Sequence, residues 1–416
     1  MDKTLPRGRV AGIVTVPCSK SYAQRALAAS LLSRGVSTLR NLDFCQDTRS
    51  AIRCIERLGA KVRHTSDSVV EIEGGLAPVS NLLEVGESGL ATRLFTPIAS
   101  LCDTPITISG EGTLLHRPMD MMIEPLRRLG VDVRDGGGRL PFEVCGPLRG
   151  GEVEVDGSVS SQFITGLLLA LPMAAEDTTI YVHGAVSRPY LDMTIETAKW
   201  FGVRIQHSDY EEFFVEGGQQ YQPADISIEG DWSAAATMLV AGAIAGEVEV
   251  TNISMLSRQA DVAICDALVR AGASVVSDER SIKVEHRPLH GFEFDATHSP
   301  DLFPALAALA ASAEGESVIV GASRLEHKES NRAEAIRSQF SKLGIDVDLS
   351  TENVMKIRGG EIKGGVEAES FGDHRMAMSL AVAALRSTEP ITIHGTECVA
   401  KSYPHFFEDL ESIRVK

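Results

Sequence analysis

Two cations stand where helix electrostatics disfavours them. Lys20, in PCSKSYAQRALAASLL, and Arg375, in DHRMAMSLAVAAL, each open a strongly apolar, helix-forming run. A positive charge at a helix start opposes the macrodipole and costs roughly 0.3–1 kcal/mol. It becomes favourable when an anion binds between the cation and the free N–H groups of the first turn, an arrangement suited to phosphate or carboxylate. Small polar or acidic residues mark the same two starts, Ser19 and Ser21 in one and Asp373 and His374 in the other. Four more apolar runs begin in the same way, with Glu87 and Ser88, with Ser160, Ser161 and Gln162, with Asp231 and Ser233, and with Ser299 and Asp301. Ser and Asp are ordinary N-caps worth about 1 kcal/mol, which accounts for many of these residues but for neither cation. Further cations follow strand-like phrases in segments that read as loops: Arg117 in LLHRPM, Arg188 in SRPY, Lys328 and Arg332 in HKESNR, and Lys401 in VAKSYP. Any one of them alone is a solvated surface charge. Their recurrence at one point of a repeated pattern suits a substrate pair carrying several negative charges.

The elements that must position these residues repeat. Five segments carry a helical pattern that ends in Gly before a short strand, and their glycines, Gly59, Gly130, Gly202, Gly272 and Gly344, are 70 to 72 residues apart. Gly takes the left-handed conformation at a helix end without a Cβ penalty. FFEDLESI supplies a sixth helix near residue 410. Phrases such as ITISGE, VEVTNI and ITIHGT alternate like half-buried strands. Each repeat also holds a helix that is apolar nearly all round, which belongs inside a domain. Pro97, Pro172 and Pro304 fall in these helices and are expected to bend them. The pattern predicts an α/β protein of six repeats of about 71 residues, each with two helices and several strands, three repeats around buried helices in each of two domains. The expected domains are 19–229, and 230–416 together with 1–18. Related by pseudo-symmetry, the six polar helix ends would face one another across a cleft, and the domains would close on binding.

The chain has 416 residues and a net charge of −17. That length suits two domains, and that charge argues against nucleic acid or an anionic membrane as partner. The start, MDKTLPRGRVAG, lacks an apolar targeting core, and no run of 18 apolar residues is present, so a cytoplasmic location is expected. The seven scattered Cys lack CxxC pairs and read as reduced thiols rather than a zinc site.

The same motifs carry a family resemblance over essentially the whole length. PCSKSYAQRALAASLL, DGSVSSQFITGLL, HKESNR and FGDHRMAMSLAVAAL resemble the matching segments of the 3-phosphoshikimate 1-carboxyvinyltransferase (EPSP synthase) family, the last two together being highly specific. The resemblance implies the two-domain enolpyruvyl-transferase fold, each domain built of three repeated βαβ-type units. It also implies transfer of the enolpyruvyl group of phosphoenolpyruvate to the 5-hydroxyl of shikimate 3-phosphate through a tetrahedral intermediate. Ser21 and Arg25 would hold the shikimate carboxylate. Ser160, Ser161, Ser187 and Lys328 would hold the 3-phosphate, with Gln162 and Lys20 beside them and Tyr190 over the ring. Asp301 would bind the ring hydroxyls and take a proton. Lys20, Gly89, Arg117, Gln162 and Lys401 would surround the phosphoenolpyruvate phosphate, and Arg332 and Arg375 its carboxylate. Glu329 and His374 would complete a catalytic set with Lys20 and Asp301, with Glu329 serving the methylene carbon. No metal or organic cofactor is implied, and a monomer is expected.

Cys18, Glu87, Leu90, Leu94 and Asn331 depart from the family pattern. Cys18 reads as a small loop residue. Glu87, an extra carboxylate beside Gly89, would repel phosphoenolpyruvate unless paired, with Arg93 the nearest candidate in sequence. Two other readings compete: the sister transferase acting on UDP-N-acetylglucosamine, and a non-catalytic ligand-binding relative that keeps the fold.

Overall fold

The computed structural model describes residues 1–158, 160–326 and 328–415; His327 of the HKESNR motif lies outside them. The chain divides into two compact units, Cys18–Ile228, and Met1–Pro17 with Glu229–Lys416. The junctions fall one residue before those expected from the sequence.

The helices come in pairs. In the first unit these are α1 (Lys20–Leu32) and α2 (Gln46–Arg57), α3 (Gly89–Ala99) and α4 (Ile123–Arg128), and α5 (Gln162–Ala170) and α6 (Arg188–Trp200). In the second they are α7 (Trp232–Ala245) and α8 (Ile264–Arg270), α9 (Phe303–Ala311) and α10 (Arg332–Lys342), and α11 (His374–Ala384) and α12 (Phe406–Ser412). The first member of each pair is the all-round apolar one. Every residue of α3, α9 and α11 is buried, and each unit has one hydrophobic core built on its three apolar helices. A fully buried Leu or Phe in such a helix contributes about 1.5–3 kcal/mol.

The second member of the first five pairs ends before the repeated glycine. Gly59, Gly130, Gly202, Gly272 and Gly344 all have positive φ, between +79° and +112°. At Gly59 an added Cβ would also lie 2.4 Å from the Ala77 carbonyl oxygen, so the position is closed to other residues on two counts.

Small sheets connect the helices. In the first unit Gly35–Arg40 pairs antiparallel with Val69–Gly74, which pairs antiparallel with Lys61–Ser66. On its other edge Gly35–Arg40 takes Asp225–Ser227 in parallel. The sheets built on Ile106–Ser109 and Thr178–His183 repeat this order. In the second unit Gly246–Thr251 takes Val10–Thr15 as its parallel partner, and Glu316–Val320 takes Glu293–Asp295. Ile391–His394 pairs parallel with Val366–Glu369, and Asp2–Leu5 adds antiparallel where the other sheets carry a hairpin.

Three expectations need correction. Pro304 does not bend α9, because it stands in the first turn, where no N–H is required. Pro172 lies in a 3₁₀ turn that follows α5, and only Pro97 is interior to its helix. Arg188 and Arg332 are not loop residues: each is the first residue of its helix, α6 and α10. The reason is local: Ser187, at φ 54°, and Asn331 turn the chain into the helix earlier than the apolar pattern shows. Among the described residues the seven cysteines form no disulfide.

Candidate active site

Each unit gathers the starts of its own helices with the cations nearby. In the unit Cys18–Ile228, Ser19 caps α1 by accepting from the Tyr22 N–H at 3.4 Å, and Ser88 caps α3 by accepting from the Ala91 N–H at 3.2 Å. Ser161 is the N-cap residue of α5 but makes no side-chain cap bond, and Ser160 Oγ accepts from the Gln162 N–H at 3.2 Å.

Lys20, the first residue of α1, places its ammonium 3.0 Å from Asp47 Oδ2, in the first turn of α2. An anion is expected at this cationic helix start, and a protein carboxylate supplies it. Arg25, 1 % exposed, donates to Thr194 Oγ1 at 2.9 Å, to the Ser21 carbonyl at 2.9 Å and to the Tyr190 carbonyl at 3.1 Å. Burial pushes its pKa down to about 10. It thus ties α6, with Tyr190, to α1. Ser187 sits just before α6, buried and left-handed. Arg188 donates to the Ala185 carbonyl at 3.3 Å and stacks on Tyr210.

Gly89 opens α3 beneath two guanidinium groups. A Cβ there would lie 2.7 Å from Arg117 Nη1 and 3.1 Å from Arg93 Nη1. Arg93 donates to Gln162 Oε1 at 2.9 Å and to the Pro118 carbonyl at 3.2 Å, which links the starts of α3 and α5. Arg117 Nε is buried without a partner among the described residues. Two guanidinium groups over a helix start with free N–H groups form a cradle for a phosphate-like anion. Glu87 accepts from Thr113 Oγ1 at 3.4 Å, and its carboxylate packs against Gly112.

The departures from the family pattern have structural accounts. Cys18 is buried, and its Sγ accepts from the Asp43 N–H at 3.2 Å. Asn331 caps α10, accepting from the Glu334 N–H at 3.3 Å, as an Asp would. Leu90 and Leu94 are buried in the core.

The unit Met1–Pro17 with Glu229–Lys416 centres on Asp301. Its carboxylate receives Lys328 Nζ at 3.3 Å and Arg332 Nη1 at 2.9 Å on Oδ1, and Arg375 Nη2 at 3.1 Å on Oδ2. Burial alone would raise its pKa, but Arg375, Lys328 and Arg332 hold it well below the usual carboxylate range. Burial lowers the pKa of Lys328, against the pull of Asp301.

Arg332, expected to clamp a substrate carboxylate, is fully buried and directs its donors at protein carboxylates. Nε reaches Asp373 Oδ2 at 2.9 Å, Nη2 reaches Glu329 Oε2 at 2.7 Å and Asp373 Oδ1 at 3.4 Å, and Nη1 reaches Asp301. Asp373 caps α11 at the Arg375 N–H, 3.0 Å away. His374 is fully buried, its Nδ1 3.9 Å from Asp373 Oδ1. Lys401, 4 % exposed, ends a 3₁₀ turn.

Asp47 and Asp261 join these clusters although the cation pattern of the sequence does not point to them. Both lie at or just after the point of the repeat where cations recur: Gln46 and Asp47 stand there in the first unit, and in the fourth Arg258 stands there with Asp261 three residues on. That shared position is the signal that could have found them, and a search for positive residues alone passes over it.

Known proteins match the chain over nearly its whole length. The family described as EPSP synthase (3-phosphoshikimate 1-carboxyvinyltransferase) matches residues 5–410. A 3-phosphoshikimate 1-carboxyvinyltransferase of Clostridium novyi is 35 % identical over 414 residues, covering 97 % of this chain and 95 % of its own. Another, from Aeromonas salmonicida, is 37 % identical over 421 residues, covering 98 % and 97 %. The solved structure of EPSP synthase from Acinetobacter baumannii superposes with a TM-score of 0.85 at 28 % identity, covering 100 % of this chain and 98 % of that one. The α/β fold is that of these enzymes, and the chain belongs to the EPSP synthase family.

Proposed function

We propose that the chain transfers the enolpyruvyl group of phosphoenolpyruvate to the 5-hydroxyl of shikimate 3-phosphate and releases phosphate, a step of aromatic amino-acid biosynthesis. The likeness to 3-phosphoshikimate 1-carboxyvinyltransferases over nearly the full chain carries this reading. The geometry gives it a chemical rationale. Asp301 is ionised among three cations, ready to accept hydrogen bonds from ring hydroxyls. Held so far below its usual range it is a weak base. A substrate carboxylate on Arg375 would withdraw one of the three cations and strengthen Asp301 as acceptor of the 5-hydroxyl proton, at the stage when that proton must leave.

Glu329, oriented by Arg332 at 2.7 Å, serves the methylene carbon, adding a proton and later removing it. Arg332 is then chiefly the organiser of Asp301, Glu329 and Asp373, and Arg375 the carboxylate clamp. Lys20, Gly89, Arg117, Gln162 and Lys401 take the phosphate of phosphoenolpyruvate. Ser160, Ser161, Ser187 and Lys328 take the 3-phosphate, with Tyr190 over the ring. Ser21 and Arg25 take the shikimate carboxylate, and His374 supports the start of α11. Cations stabilise a tetrahedral intermediate bearing both phosphate and carboxylate. We read the protein as a cytoplasmic monomer; among the described residues no helix is long and apolar enough to cross a membrane.

A phosphate-release assay tests the proposal. Release from phosphoenolpyruvate is expected with shikimate 3-phosphate. Release with UDP-N-acetylglucosamine and none with shikimate 3-phosphate would assign the chain to the sister reaction. Binding of both substrates without turnover would make it a non-catalytic relative.

A further inference from the structure

Around Asp301, among the described residues, Lys328, Arg332 and Arg375 pair with Asp301, Glu329 and Asp373. Asp261 is a further carboxylate, in no ion pair among the described residues. It lies in the 3₁₀ turn Ala260–Ala263 before α8 and is 3 % exposed. One oxygen accepts from Ser233 Oγ at the start of α7, and the other, Oδ1, is buried without a partner among the described residues. The charged groups acting on it come from three neighbouring elements: Asp301 before α9, Arg375 of α11 and Asp231 at the start of α7. An uncompensated buried carboxylate is costly, and it relieves that cost by taking a proton.

We propose that Asp261 is a protonatable positioning residue of this site, which competes for Arg375 when ionised and leaves it to an anionic substrate when neutral. Burial and the Asp301 carboxylate push its pKa up to about 6, against Arg375 and the Ser233 hydroxyl, which pull it down. Asp301 is held in the opposite direction by its cations. Of two neighbouring carboxylates, one therefore stays ionised while the other titrates near neutrality, the division that marks separate roles in a site. An anion docked on Arg375 adds negative charge beside Asp261 and draws a proton onto it. By linkage, protonation of Asp261 tightens the anion by the same factor.

The proposal rests on the reading of Arg375 as the phosphoenolpyruvate carboxylate clamp, and its test has two arms. In the first, KM for phosphoenolpyruvate and kcat are measured from about pH 5 to 8 for the full chain, for Asp261→Asn and for Ser233→Ala. The wild type should show KM rising about fivefold or more across this range. Asp261→Asn should flatten that rise and lower KM at the alkaline end. Ser233→Ala removes the bond that favours the ionised form, so it should move the inflection to higher pH. A rise unchanged in Asp261→Asn, or an effect confined to kcat, overturns the proposal.

The second arm needs no turnover. A carboxylate whose folded pKa is raised opposes folding once ionised; the cost is absent below the usual Asp value of about 4 and complete above about 6. Asp261→Asn should therefore gain melting temperature over wild type at about pH 8 and lose that gain near pH 4. A difference independent of pH overturns the proposal. Should Asp261→Asn not fold, Ser233→Ala, in which Asp261 is intact, decides by the inflection and by a larger destabilisation at alkaline pH. Absence of phosphate release from the wild type would count against the enolpyruvyl-transfer reading alone and leave the melting arm to judge Asp261.

Discussion

Lys20 and Asp47 form an ion pair with Nζ 3.0 Å from Oδ2, and the two side chains are 13 % and 6 % exposed. The cation that opens α1 is therefore fixed by a carboxylate from the first turn of α2. That carboxylate in turn faces a helix start, where negative charge is favoured.

Removing Asp47 takes away the carboxylate 3.0 Å from the largely buried Lys20 ammonium. Asp47→Asn should cost about 1–3 kcal/mol in denaturant unfolding, less than the loss of a fully buried partner because Lys20 retains some water. It should also raise KM for phosphoenolpyruvate, since the ammonium loses its orientation. Unchanged stability with unchanged KM would show that the pair positions nothing.

Asp301 is the carboxylate on which Lys328, Arg332 and Arg375 converge. Asp301→Ala should reduce kcat by at least about 100-fold, the scale of a positioned proton-transfer group. Binding of phosphoenolpyruvate should survive, because the three cations lose a competing anion. A kcat within about threefold of wild type would remove Asp301 from the mechanism.

Arg332 places four N–H···O contacts on three carboxylates from a site with no solvent exposure. Lys supplies a point charge and cannot reproduce this planar fork. Arg332→Lys should destabilise the protein by about 3–5 kcal/mol, as when a buried charge network loses a partner, and circular dichroism melting reads the loss. A change below about 1 kcal/mol would mean that the network rearranges freely.

Gly89 illustrates a steric constraint of another kind. The Cβ of Gly89→Ala would meet the far end of Arg117, 2.7 Å away, rather than backbone. The flexible side chain gives way, so melting temperature should change little. The guanidinium leaves its place over the start of α3, and KM for phosphoenolpyruvate should rise about tenfold, equivalent to one good charge-assisted contact. Equal KM values for both proteins would place the phosphate elsewhere.

The repeat is legible in the sequence because two local rules mark it: a glycine forced to positive φ at a helix end, and helices with no polar face. The cations are legible by their recurrence. What each cation pairs with is not, because a pairing such as Arg375 with Asp301 joins residues 74 apart and depends on how two repeats pack. Arg25 shows the same limit: its type suits a substrate carboxylate, yet the structure spends its donors on Thr194, Thr165 and two carbonyls. The early start of α6 is hidden because Ser187 adopts a left-handed backbone that its residue type does not announce. Asp261 is the clearest omission, since its charge matters only through neighbours from three other elements.

The pairing of Val10–Thr15 with Gly246–Thr251 also sets an order of events during synthesis. Thr15 and Thr251, joined at 2.8 Å, are 236 residues apart, and everything in Cys18–Ile228 leaves the ribosome between them. That inserted half carries its own strands, including Asp225–Ser227, which closes its first sheet, so it completes its core while the opening strand still waits. Long-range pairing of this kind is slow to form. A nascent chain stalled once residue 228 has cleared the exit tunnel should thus already resist protease across Cys18–Ile228 and remain cleavable at its first residues.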